Sequence, residues 1–134
     1  MRALRVLVVE DNLLNRKLVG AILKRRGHEV LEACDLGEAR ETLGQGGVEL
    51  VLLDIQVPGG GGELLLHEIR ADTRWAGLPV VAVTSQAMAG DRERFLSAGF
   101  DGYFSKPIDT RTFAAEVEGF ARQGEEGSPR TEEP

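Results

Sequence analysis

Apolar residues in this chain gather into short runs instead of alternating with polar ones. The runs are Arg5-Val6-Leu7-Val8-Val9, Val30-Leu31-Glu32-Ala33, Leu50-Val51-Leu52-Leu53, Val80-Val81-Ala82-Val83 and Gly102-Tyr103-Phe104-Ser105. Near-continuous apolar stretches of this length predict strands buried on both faces, as in a parallel sheet. Between them, apolar residues recur at helical spacing. Leu14, Leu18, Ile22 and Leu23 mark a first helix, opened by Asn12 and ended by Gly27. Leu36, Ala39 and Leu43 mark a second, with Asp35 and Glu38 at the spacing of a capping box. Leu65, Leu66 and Ile69 mark a third; Met88, Phe95 and Leu96 a fourth, ended by Gly99; Phe113, Val117 and Phe120 a fifth, headed by Asp109. Five strands alternating with five helices predict an α/β fold: a doubly wound, five-stranded parallel sheet covered on both sides.

Sites in such sheets lie at the carboxyl ends of the strands. Four of the five runs end there on chemistry-bearing residues: Glu10 and Asp11, Asp54, Thr84 and Ser85, and Lys106. One acid at a strand end is an ordinary loop residue. Three acids, a hydroxyl and a lysine at equivalent ends of four strands point to a site. Carboxylates packed together raise one another's pKa unless a cation sits among them. An all-oxygen ligand set suits Mg²⁺ better than zinc or copper, and a lysine with a hydroxyl would complete a clamp for a phosphoryl group. No histidine, cysteine or activated serine belongs to the set, so the nucleophile it offers is a carboxylate. Asp54 is the best placed, because it ends the most apolar run. The pattern reads as Mg²⁺-assisted aspartyl phosphorylation.

Composition narrows the classes. Of 134 residues, 42% are apolar and 28% charged, a globular profile for one domain. The net charge of −6 argues against a nucleic-acid surface. No apolar run approaches the ~20 residues of a membrane span, and the N-terminus lacks the pattern of a signal peptide, so a cytoplasmic location is expected. The single cysteine, Cys34, excludes an internal disulfide and reads as a small packed residue. His28 reads as a turn residue and His67 as an exposed helix residue. Trp75 is expected to pack at the sheet edge. Gly59 to Gly62 form a turn without the Gly-Lys-Ser/Thr of a phosphate-binding loop. From Gln123 onward the chain has no apolar anchor and carries four acids against one arginine. The expected division is a domain over residues 1–122 and an acidic, disordered tail over 123–134.

Four segments taken together resemble a known family. Val6-Leu7-Val8-Val9-Glu10-Asp11-Asn12, Leu52-Leu53-Asp54-Ile55-Gln56-Val57-Pro58-Gly59, Ala82-Val83-Thr84-Ser85 and Gly102-Tyr103-Phe104-Ser105-Lys106-Pro107 are similar, in order and spacing, to the receiver domains of two-component response regulators. The resemblance covers Leu4 to about Ala121 and implies a flavodoxin-like (βα)5 fold. It implies that Asp54 accepts a phosphoryl group from a histidine kinase or histidine phosphotransfer protein. Glu10, Asp11, Asp54 and the backbone carbonyl of Gln56 would hold Mg²⁺, and Lys106 would pair with the phosphoryl oxygens. Thr84 and Tyr103 would move together on phosphorylation and reshape the face made by the fourth helix, fifth strand and fifth helix for a downstream protein partner. It also implies a cis Lys106-Pro107 bond. Val57 stands where the family often has methionine. No effector domain follows the fifth helix, so a stand-alone receiver is expected: a signalling phosphoacceptor, which assists its own phosphorylation and dephosphorylation without being an enzyme.

Rival readings have weaker support. A haloacid-dehalogenase-type phosphatase would want an acid two residues after its nucleophile, where this chain has Gln56, which cannot exchange a proton. A flavodoxin-like cofactor carrier would want a hydroxyl-rich phosphate loop where Glu10 and Asp11 would repel phosphate. A receiver-like module that binds partners without phosphorylation would not need the complete set. Gln56 and Gln86 follow Asp54 and Thr84 by two residues; their carboxamides are candidates for controlling water access to a phosphoryl group.

Overall fold

The five apolar runs become the five strands of one sheet. The structure, a computed structural model, describes residues 2–85 and 88–126. In chain order the elements are β1 (Arg5–Val9), α1 (Leu13–Arg25), β2 (Glu29–Ala33), α2 (Leu36–Gln45), β3 (Leu50–Asp54), α3 (Gly62–Ala71), β4 (Val80–Thr84), α4 (Asp91–Ala98), β5 (Gly102–Ser105) and α5 (Phe113–Glu126). All pairings are parallel and the strand order is β2-β1-β3-β4-β5. The order reverses between β1 and β3, and a crevice at the carboxyl ends follows from that reversal. Every residue of β3 and β4 is buried, as their continuous apolar sequences require.

Two apolar layers flank the sheet. Leu7, Val9, Val51, Leu53 and Ala82 face one layer, with Leu36, Leu43, Leu66, Ile69 and Phe95 from α2, α3 and α4. Val6, Val8, Leu50, Leu52, Val81 and Val83 face the other, with Leu23 of α1 and Phe113 and Val117 of α5. Alternate residues of one strand therefore serve opposite layers.

The local signals act largely as expected. Asn12 Oδ1 accepts the Asn15 N–H at 2.9 Å and starts α1. Asp35 Oδ1 accepts the Glu38 N–H at 2.8 Å, while Glu38 Oε1 reaches back to the N–H of Cys34, one residue before the cap. Gly62 lets α3 begin against the sheet: a Cβ there would meet the Asp54 carbonyl oxygen at 2.8 Å.

Some details differ from expectation. The buried stripe of α1 runs through Val19, Gly20 and Leu23, while Leu14 and Leu18 are exposed. Gly20 of that stripe faces β2, where a Cβ would lie in ordinary contact with Val30, 3.5 Å away. Met88 precedes α4 and is exposed, because Gly90 takes a left-handed conformation and the helix starts only at Asp91. Asp109 heads a turn, accepting the N–H groups of Thr112 and Phe113, ahead of α5. That last helix continues to Glu126, four residues past the expected domain boundary: Gln123, Glu125 and Glu126 are good helix formers, and Gly124 between them costs only about 1 kcal/mol. The remainder of the expected tail, 127–134, and Gln86 lie outside the described residues. No described helix is long and apolar enough to cross a membrane.

Candidate functional site

The carboxyl ends of β1, β3 and β5 bring four of the expected residues together. Glu10 follows β1 directly and is held by backbone: its N–H donates to Ala33 O at 2.9 Å, and its carbonyl accepts from Arg16 Nη1 at 2.8 Å. Asp54 closes β3, buried, with the Ile55 N–H bonded to Val83 O just beyond it. Lys106 follows β5, its N–H donating to Thr84 O at 2.8 Å. The adjoining Lys106-Pro107 bond is cis.

Lys106 Nζ donates to Glu10 Oε1 at 2.7 Å and to Asp54 Oδ2 at 3.1 Å. Asp54 Oδ1 accepts the Gln56 N–H at 2.9 Å, and Glu10 Oε2 accepts the Asn12 N–H at 3.0 Å. Asp11 is exposed at the rim, and oxygens of Glu10, Asp11 and Asp54 lie within 4.8 Å of one another. One ammonium thus pairs with two of the three carboxyl groups. Burial pushes the Glu10 carboxyl above the usual range, the Lys106 and Asn12 hydrogen bonds oppose this, and the neighbouring Asp54 adds to the rise. Burial also draws the Lys106 ammonium down, but its bond to Glu10 and the field of Asp54 more than reverse that, so it stays charged. A crowded, oxygen-only, partly uncompensated set fits a hard divalent cation such as Mg²⁺.

Thr84 is buried at the end of β4, in register with Ser105. Tyr103 lies apart from the carboxylates, half-buried in β5, with its ring 5.5 Å from that of Phe95 in α4. Gln56 is exposed next to Asp54. Cys34 sits outside this cluster, half-buried and free; its hydrogen bond to Glu38 and its desolvation raise the thiol above its usual range.

Sequence reading missed a cavity of about 100 Å³ beside Asp54 and Lys106. Asn15, Leu18 and Val19 of α1 face Pro107 and Ile108 across it. Asn15 and Leu18 do share a helical face, but their partners lie ninety residues away, beyond any local pattern.

Comparison with known proteins decides the family. A profile for the response regulator receiver domain matches residues 6–118. The chain belongs to the response regulator receiver family. It is 34% identical over 115 residues to the polar-differentiation response regulator DivK of Brucella anthropi, spanning 86% of this chain and 94% of DivK. It is 39% identical over 119 residues to the sensor protein GacS of Pseudomonas syringae, covering 87% of this chain but only 13% of GacS. Among solved structures, the receiver domain of the sensor histidine kinase PA1611 from Pseudomonas aeruginosa, with a magnesium ion in its active-site cleft, superposes with a TM-score of 0.81 at 28% identity, covering 91% of this chain and all of that one. This receiver therefore has the doubly wound fold expected, and it serves two-component signalling.

Proposed function

We propose that this receiver accepts a phosphoryl group on Asp54 from a phosphohistidine donor. The observation that carries this is the Asp54 carboxylate: buried at the end of the central strand, aimed by Gln56 N–H, and paired with Lys106 beside two further acids. In the transfer one Asp54 oxygen forms a bond to phosphorus, the bond to the donor imidazole nitrogen breaks, and its electron pair leaves with the imidazole. Lys106 stands where it would balance charge on the phosphoryl oxygens. Glu10, Asp11, Asp54 and the Gln56 carbonyl would hold Mg²⁺, which when bound supplies charge neutralisation for the incoming phosphoryl oxygens.

Output follows from position. Thr84 ends the strand beside Asp54 and its hydroxyl would turn to the phosphoryl group; Tyr103 would rotate into the space vacated. Because Tyr103 packs on Phe95, that change would reach α4 and the α4–β5–α5 face, where a downstream protein binds. The donor, a histidine kinase or phosphotransfer protein, would dock beside the cleft, where Leu13, Leu14 and Leu18 of α1 are exposed. Gln56, exposed beside the acceptor, would govern water access and so the lifetime of the acyl phosphate.

Intact-mass spectrometry after incubation with acetyl phosphate tests the reading. A gain of one phosphoryl group that requires Mg²⁺ and disappears in Asp54→Asn is expected. An unchanged mass in folded protein at saturating acetyl phosphate and Mg²⁺, or a gain that survives in Asp54→Asn, would overturn it.

A further inference from the structure

Arg70, in the last turn of α3, has every N–H donor of its guanidinium engaged inside the fold. Nε and Nη2 donate to Gly99 O at 3.1 and 2.8 Å, and Nη2 also to Asp101 Oδ2 at 3.0 Å. Nη1 donates to Ala76 O at 3.1 Å and Leu78 O at 2.7 Å. Asp101 in turn accepts the Val80 N–H on the same Oδ2 at 2.9 Å, and its own N–H donates to Val80 O at 2.8 Å. One side chain thus ties the start of β4 to the end of α4. Gly99, which caps α4 with φ +117°, is the point they share.

The opposite end of the β4–α4 unit, beside the acceptor, is held more weakly. Gly90 gives α4 no side-chain cap, and Phe95 is the single buried residue among the eight of the helix. The ion pair that ties α4 to α3, Arg94 to Glu63 at 2.8 Å, is exposed on both sides, and such pairs hold little.

We propose that Arg70 is the fulcrum of the switch. It fixes the end of the β4–α4 unit remote from Asp54, so that movement of Thr84 becomes a swing of α4 about Gly99 instead of a slide of the whole helix. α4 is roughly 12 Å long, so a small rotation about Gly99 displaces its acceptor end far more than its pivot. Arg70 touches none of the reacting groups and acts as a positioning residue. The proposal rests on the phosphoacceptor reading for its trigger, not for its pivot.

Residue-resolved hydrogen exchange tests both parts. The probes are amides that each carry a hydrogen bond: Arg94 to Gly90 O at the acceptor end, Phe100 to Phe95 O and Asp101 to Val80 O at the pivot. In the unphosphorylated protein Phe100 and Asp101 should exchange at least about tenfold more slowly than Arg94. Arg70→Gln should erase that difference, and Arg70→Lys should restore only part of it, because one ammonium cannot reach four acceptors. With acetyl phosphate and Mg²⁺, Arg94 should change while the pivot amides stay constant; in Arg70→Gln both ends should change, with the phosphoryl group taken up to the same extent. If Arg70→Gln does not fold, Asp101→Asn carries the comparison, with a smaller loss at the pivot expected. Equal exchange at the two ends of the native helix, or a native profile in the variants, would overturn the fulcrum. Failure of the native protein to take a phosphoryl group would instead overturn the role of Asp54, and the unphosphorylated profile would still decide the fulcrum.

Discussion

The two faces of the sheet are held together by different means. On the α1–α5 face, Glu118 of α5 is buried and clasped: Arg26 Nη2 and Nε donate to it at 2.6 and 3.1 Å, and His28 Nε2 at 2.8 Å. His28 Nδ1 accepts the Leu4 N–H at 3.0 Å, so Nε2 carries the proton that Glu118 receives. The clasp joins the start of β1, the end of α1 and the middle of α5, at the edge of a layer that includes Leu23, Phe113 and Val117. On the other face α2 and α3 supply most of the helical part of the layer, and α4 adds one fully buried side chain, Phe95, edge-on to Phe100 and tilted against Tyr103, with Ala98 partly buried beside it. A helix anchored by one ring beside a strand-end site can move without unfolding the domain; a helix clasped at a buried, hydrogen-bonded carboxylate cannot. The asymmetry assigns the frame to one face and the moving part to the other.

The contrast can be pressed hardest at Phe95. Phe95→Ala removes the one buried anchor of α4 and should cost about 3–5 kcal/mol in urea unfolding, a loss well under 2 kcal/mol showing that α4 is held elsewhere. Glu118→Ala leaves the buried His28 Nε2–H without its acceptor and should cost about 1–3 kcal/mol. Its effect on phosphoryl uptake should be nil, since the clasp lies away from the strand ends.

Acid provides a milder test. Burial raises the Glu118 carboxyl, but the bonds from Arg26 and His28 outweigh it and hold the pKa below the usual range. A depressed folded pKa gives stability that is complete above the unfolded value and is lost as pH falls through the folded one. Unfolding free energy should therefore fall as pH drops below the ordinary glutamate range, more steeply in the native protein than in Glu118→Gln; equal slopes would remove Glu118 from the clasp. The smallest effect on stability belongs to exposed Leu14: Leu14→Ser should change it by less than about 0.5 kcal/mol yet slow transfer from a phosphohistidine donor, leaving acetyl phosphate kinetics unaltered.

Much of this was legible in the sequence because its signals are local. A buried parallel strand announces itself as an apolar run, and the acids of Glu10, Asp11 and Asp54 stand out because they end such runs. Asn12 and Asp35 act within three residues of themselves. The clasp and the fulcrum are long-range. His28 follows the Arg26–Gly27 turn and is buried, and nothing near it in the chain marks its bond to Glu118, ninety residues on. Arg70 looks like an ordinary basic residue at the end of a helix; its acceptors are mostly backbone carbonyls, which carry no sequence signature. The exposed leucines of α1 misled for a related reason: helical spacing counts apolar positions but does not say which stripe the neighbouring strand will take.

The role of Asp54 is tested most directly by locating the phosphoryl group. Borohydride reduces an acyl phosphate to an alcohol, marking the modified residue for peptide mapping. After treatment with acetyl phosphate and Mg²⁺, homoserine should appear at position 54 and nowhere else. Reduction at Glu10 or Asp11 with Asp54 intact would contradict the assignment of the acceptor.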